Sequence, residues 1–272
     1  MSLEEYLFIK SDKNSLFTAC FKPDSLYRKE AYIICHPFAE EKKYTQKLLV
    51  DLAKKLQSNG ITAILFDLNG CGDSEGNLSN SSVSSWLRDI ENISLYVRNE
   101  LHINNINFIG LRFSTYLGML SIQKKVAFKK IIMIEPVFNG VSYLHKTIKN
   151  KRIKKFFSEN KTLSNSKQLL EELINNKSID FDGNEISSEF YINLIENQKN
   201  FNLQDIILSE TEVVILKLSI INKLFREISE FVDLSKSMNK EIQYKQIKYL
   251  PFWNNNQIKN HDTIIQGVLK VS

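Results

Sequence analysis

Short apolar runs alternate along this chain with longer segments of helical periodicity, and that alternation constrains the fold more than any other feature. Residues 30–35 (EAYIIC), 61–66 (ITAILF), 107–110, 130–135 (KIIMIE), 212–219 (EVVILKLS) and 243–250 read as strands, after two earlier ones at 7–10 and 16–22. Between them, 44–58, 83–99, 114–124 and 225–239 carry apolar stripes at helical spacing, and a short helix from about residue 260 closes the chain. The first helix, with Leu48, Leu49, Leu52, Ala53 and Leu56 on one face, stops at Asn59-Gly60, a C-cap signal. This predicts an α/β architecture: a mostly parallel central sheet with helices on both faces. Glycine (9) and proline (4) are scarce in the 272 residues, against usual levels of roughly 7% and 5%. Pro37, Pro136 and Pro251 nevertheless follow the C-terminal ends of proposed strands, and Gly70, Gly72 and Gly76 crowd another such end. Ligands of open parallel sheets sit at that edge.

Residues 140–205 differ from the rest: charged, asparagine-rich and helical in pattern, with no strand-like run. The expected division is a core of 1–139 with 206–272, interrupted by a helical insertion at 140–205. The formal net charge of +5 is local, because Lys146, Lys149, Lys151, Arg152, Lys154 and Lys155 lie together with no acid among them. Their alternation with Ile148, Ile153, Phe156 and Phe157 reads as a basic amphipathic helix. A solvated face is the default; contact with an anionic membrane surface or partner is the alternative. Nucleic acid is not expected, since no recognised motif accompanies the charge. Three cysteines without a CxxC pair favour a reducing compartment. With an acidic start and no apolar run near ~18 residues, the expectation is a soluble cytoplasmic protein.

Three segments resemble the α/β-hydrolase superfamily, and within it the exosortase-A-system-associated hydrolases. They are His36-Pro37-Phe38-Ala39-Glu40-Glu41, the string from Phe66 and Asp67 through Gly76, and Gly110-Leu111-Arg112-Phe113-Ser114, followed by Pro136-Val137-Phe138. The match spans about residues 31–144. The resemblance implies the α/β-hydrolase fold, with 140–205 as a helical lid. It also implies a nucleophile elbow at Gly110–Ser114, where G-x-S-x-G strings place serine and this chain has Arg112. A guanidinium is permanently protonated and donor-only, so it cannot attack a carbonyl. The loop Ile220-Ile221-Asn222-Lys223, where the fold expects an acid, holds no carboxylate, and Pro251-Phe252-Trp253 stands where it expects a histidine. His261, beside Asp262, reads as a capping or surface residue.

Arg112 needs an anion nearby, because a cation at a helix N-terminus opposes the dipole. Glu40, Glu41, Asp73 and Glu135 are the internal candidates; a ligand carboxylate, phosphate or sulfate is the external one. His36, Phe38, Ala39, Glu40, Asp73 and Ser74 would surround such a ligand, with the Phe38 and Ala39 amides in the place of an oxyanion hole. As catalytic groups, only weak candidates are present: Ser114 one turn into the helix with Glu135 nearby, or Cys35 or Cys71 if His36 lies within reach. No cofactor or metal pattern occurs; Gly70-x-Gly72-x-x-x-Gly76 is not a dinucleotide fingerprint. The expected function is a non-hydrolytic binding or accessory protein for an anionic acyl or carrier-linked ligand, or a scaffold for a protein partner. An esterase or thioesterase with relocated residues is the alternative.

Overall fold

Period-two alternation and a two-residue turn at Asp12-Lys13 pair β1 (Leu3–Ser11) with β2 (Asn14–Lys22) in an antiparallel hairpin. In the computed structural model, residues 3–24, 28–159, 173–175, 178–181, 184–254 and 260–272 are described. The chain continues through β3 (Glu30–Cys35), α1 (Glu41–Ser58), β4 (Thr62–Phe66), α2 (Val83–Asn99), β5 (Asn105–Leu111), α3 (Phe113–Gln123) and β6 (Lys130–Ile134). After α4 (Gly140–Glu159) come β7 (Ser178–Phe181), β8 (Asn184–Ser187), α5 (Ser188–Lys199) and α6 (Leu203–Leu208). The chain ends with β9 (Glu212–Leu218), α7 (Arg226–Ser237), β10 (Gln243–Ile247) and α8 (Asp262–Leu269).

One eight-stranded sheet runs β1-β2-β4-β3-β5-β6-β9-β10, antiparallel at the β1 and β2 end and parallel from β4 onward. Successive side chains of its buried strands feed two separate cores. Ile33 and Cys35 join Trp86, Ile90, Leu117 and Phe231 under α2, α3 and α7, whereas Tyr32 and Ile34 join Leu48, Leu52 and Val268 under α1 and α8. The helix α3, buried at every position from Phe113 to Ile122, is central rather than amphipathic. The mostly parallel sheet and two-sided cover predicted from the sequence are therefore present.

The stretch between the sheet neighbours β6 and β9 is not purely helical. Ser178–Phe181 and Asn184–Ser187 form a small antiparallel hairpin, a correction to the strand-free reading of 140–205. Each strand is only four residues long and largely polar, too short for alternation to register. The stretch packs onto the core through Tyr143, Leu144, Ile148, Phe190 and Leu194. Among the described residues, no helix is long and apolar enough to cross a membrane.

Candidate functional site

The string Gly110-Leu111-Arg112-Phe113-Ser114 makes the turn from β5 into α3, with Arg112 at its tip at φ 61° and ψ −123°. Positive φ is costly for a residue with a Cβ. The surroundings hold it there: Arg112 N–H donates to Ile134 O, and its carbonyl accepts from the Thr115 amide (2.9 Å) and hydroxyl (2.7 Å). Helix and strand cross so closely that a Cβ on Gly110 would lie 2.8 Å from the Thr115 nitrogen. Gly110→Ala is expected to cost about 1–3 kcal/mol, read as a lowered thermal unfolding midpoint.

Ser114 stabilises this bend from inside. Its hydroxyl accepts from Leu111 N–H (2.8 Å) and lies 2.9 Å from the Cys35 carbonyl, with no exposure. That fixes Ser114 as a tie between β5 and β3 and turns it away from any ligand, which corrects its candidacy as a nucleophile. Glu135, its suggested helper, is engaged elsewhere, accepting from Lys217 Nζ (2.7 Å) and Leu218 N–H (2.6 Å).

The anion that Arg112 requires is Glu41, in the first turn of α1. Arg112 Nη2 and Nε lie 3.1 and 3.3 Å from Glu41 Oε1, with the two side chains 20% and 5% exposed. The guanidinium is flanked by the Trp253 ring, 4.6 Å away, and the Tyr143 ring of α4, 5.2 Å away. Burial opposes its charge, and the Glu41 carboxylate more than offsets that, holding the pKa above its ordinary value. Of the other predicted partners, Asp73 is exposed and Glu40 precedes α1. Trp253, which sequence reasoning did not assign, comes from the loop after β10. The aromatic residue within PFW was its only signal.

A second ion pair lies on the other side of the β3 loop. Lys42 Nζ sits 2.6 Å from Asp67 Oδ1, with His36 Nε2 3.7 Å from the same oxygen. Gly72, at φ 57°, covers the pair, and a Cβ there would fall 2.0 Å from Lys42 Nζ. Burial, then the Lys42 charge, pushes the His36 pKa down to about 3, so the ring is neutral near pH 7. His36 lines a cavity of about 60 Å³ with Cys71 and Trp86. Burial pushes the Cys71 thiol up to about 12 and Cys35 well above its ordinary value. Both remain protonated thiols near neutrality, contrary to a thiolate nucleophile activated by His36.

The remaining predicted ligand residues make these contacts within the fold. Phe38 packs its ring against Phe113 (5.4 Å), Phe190 (5.8 Å) and Trp86 (5.9 Å). Ala39 turns the chain at φ 50°, and its carbonyl accepts from Lys42 N–H. Ser74 joins the glycine loop to β2, donating to Asp67 O (2.6 Å) and accepting from Phe17 N–H (2.9 Å). Asp73 contributes its backbone amide to Asp67 Oδ2 (2.9 Å). His261 takes the N-cap position of α8, its carbonyl accepting from Ile264 N–H (2.9 Å), but it is buried rather than on the surface, its ring centroid 4.5 Å from that of Phe252. In the basic cluster, Lys146 lies 4.0 Å from Glu227 of α7. The side chains of Lys151, Arg152, Lys154 and Lys155 lie outside the described residues. No group of three metal-ligating side chains converges among the described residues.

No family model matches the chain, and no curated protein does. Solved structures do resemble it. Est1E of Butyrivibrio proteoclasticus, with ferulic acid bound, superposes with a TM-score of 0.67 at 16% identity, covering 97% of each chain. A highly thermostable carboxyl esterase from Bacillus coagulans, in complex with glycerol, gives 0.65 at 10% identity over 99% of this chain and 97% of its own. The mouse alpha/beta hydrolase domain-containing protein 10 gives 0.59 at 14% identity over 98% of each. With its order of strands, two-sided helical cover and strand-to-helix bend, this chain has the α/β-hydrolase fold.

Proposed function

We propose that this protein is a non-hydrolytic member of the α/β-hydrolase fold that binds an anionic acyl or carrier-linked ligand, or scaffolds a partner presenting such a group. One observation carries the reading: the side chain at the tip of the strand-to-helix bend, where this fold lifts its nucleophile, is the guanidinium of Arg112. It is forked to Glu41 and faced by Trp253. Glu41 engages Nε and Nη2, while a guanidinium carries five N–H donors in a planar fork. These donors point to a carboxylate, phosphate or sulfate as the group recognised. The HPFAEE and GCGDSEG strings further resemble exosortase-A-system-associated hydrolases. That resemblance implies an accessory role beside surface-polysaccharide export, in the reducing compartment that three unpaired cysteines suit.

The test is a p-nitrophenyl ester panel together with a fluorophosphonate probe on the purified chain. No turnover above the uncatalysed rate and no covalent labelling are expected. Arg112→Ser is expected to stay inactive, because Trp253 rather than a general base faces that position. Turnover or labelling by the native chain, lost in Ser114→Ala, would instead identify a relocated esterase centre and overturn the proposal.

A further inference from the structure

The open edge of the sheet at β1 is self-complementary. Strand β1 is nine residues long and pairs on one side only, leaving the other side of its backbone without a neighbour among the described residues. Its odd-numbered residues Ile9 and Ser11 are buried. Its even-numbered residues, Glu4, Tyr6, Phe8 and Lys10, are all exposed, with Tyr6 at 63% and Phe8 at 61%. Those two rings stand over Phe17 of β2, with centroids 6.2 and 5.8 Å from it, so the aromatic stripe is supported from the sheet side. A long edge with large apolar side chains is a template for strand addition.

The hairpin fixes which backbone groups face outward. Ser11 pairs with Asn14 across a two-residue turn, and the pairing continues in register to Leu3 opposite Lys22. In such a ladder the turn-flanking pair exchanges hydrogen bonds and alternate pairs repeat it, so odd-numbered residues of β1 bond to β2. The even-numbered residues therefore aim their N–H and C=O groups outward. Antiparallel addition must match outward-facing residues with one another.

The register that overlaps the whole strand centres on Leu7. It sets Glu4 against Lys10, Tyr6 against Phe8, Phe8 against Tyr6 and Lys10 against Glu4 of a second copy. Opposite charges meet at both ends and aromatic rings meet in the middle, all on the exposed face. Glu4 is already held by Lys54 at 3.1 Å, whereas Lys10 has no ion-pair partner among the described residues. We infer that the protein forms a two-fold symmetric dimer by antiparallel pairing of β1 with β1, joining two sheets into one. The interface is isologous, as closed dimers require.

Sedimentation velocity across the micromolar range should show a concentration-dependent dimer. Lys10→Glu and Glu4→Lys, each placing like charges opposite, should weaken it about tenfold. The double exchange Glu4→Lys with Lys10→Glu restores opposite charges and should restore most of the affinity. Leu7→Cys, at the two-fold axis, should cross-link to a covalent dimer on mild oxidation, and Lys10→Cys should not. Far-ultraviolet circular dichroism checks that each variant is folded. A wild-type chain that stays monomeric would overturn the inference. So would a dimer indifferent to both single charge reversals, or cross-linking that favours residue 10 over residue 7.

Discussion

Glu41→Gln is expected to destabilise the folded protein by about 3 kcal/mol in urea titration, because it leaves the Arg112 charge buried without its counter-ion. This lies at the lower end of the usual range for such a lesion, since a fifth of the Arg112 side chain remains exposed. Arg112 cannot relieve the loss by releasing a proton, as its pKa stays far above neutrality. Replacing both partners, Arg112→Met with Glu41→Leu, is expected to recover most of the lost stability, because neither charge is then stranded. A Glu41→Gln protein as stable as the native one would show that the Glu41 contact does not balance the guanidinium. The closed ion pair at the bend would then have to be abandoned.

The second large effect is a pair of opposed acid responses. His36, at about 3 in the folded chain against an ordinary 6.5, stays neutral where the unfolded chain takes up a proton. Its contribution is complete above 6.5 and is lost as pH falls toward about 3, at ~1.4 kcal/mol per unit. Asp89 of α2 behaves in the reverse sense. Burial pushes its carboxyl from 3.8 up to about 6, against hydrogen bonds from Ser11 Oγ and the Asn69 amide. Between those values the folded chain keeps a proton that the unfolded chain releases, so Asp89 stabilises more as the solution becomes acidic. The two slopes nearly cancel from about 6 down to 3.8. His36→Gln is therefore expected to gain stability over that interval, by ~3 kcal/mol, while Asp89→Asn falls steadily. Urea titrations at a series of pH values measure this. Parallel profiles for native and His36→Gln proteins would mean that the ring is hydrated when folded.

Most of the framework was legible because buried parallel strands are continuous apolar runs. Residues 30–35 match β3, and 61–66 and 212–219 miss β4 and β9 by one residue at one end. The helix predicted from residue 44 in fact begins at Glu41, three residues earlier. Its first turn is written in charged residues, Glu41 and Lys42, which face inward to pair with Arg112 and Asp67. Polar residues in a buried first turn look like loop, so the apolar stripe gave no sign of them. Arg112 as the central residue could be read from its string, but its partner could not. Glu40 and Glu41 are adjacent in the chain, and only the start of the helix decides which one turns inward. Trp253 and Tyr143 reach Arg112 from segments far apart in sequence, and no local pattern links them.

The bend at Arg112 belongs to the framework more than to the side chain at its tip. Gly110, the Thr115 hydroxyl and the Ile134 carbonyl set its dihedral angles, and each would do the same for almost any residue placed there. Drift or design that installs a different reactive group at this point inherits a ready launching platform. It has only to exchange what stands on the platform and to clear the indole lying across it.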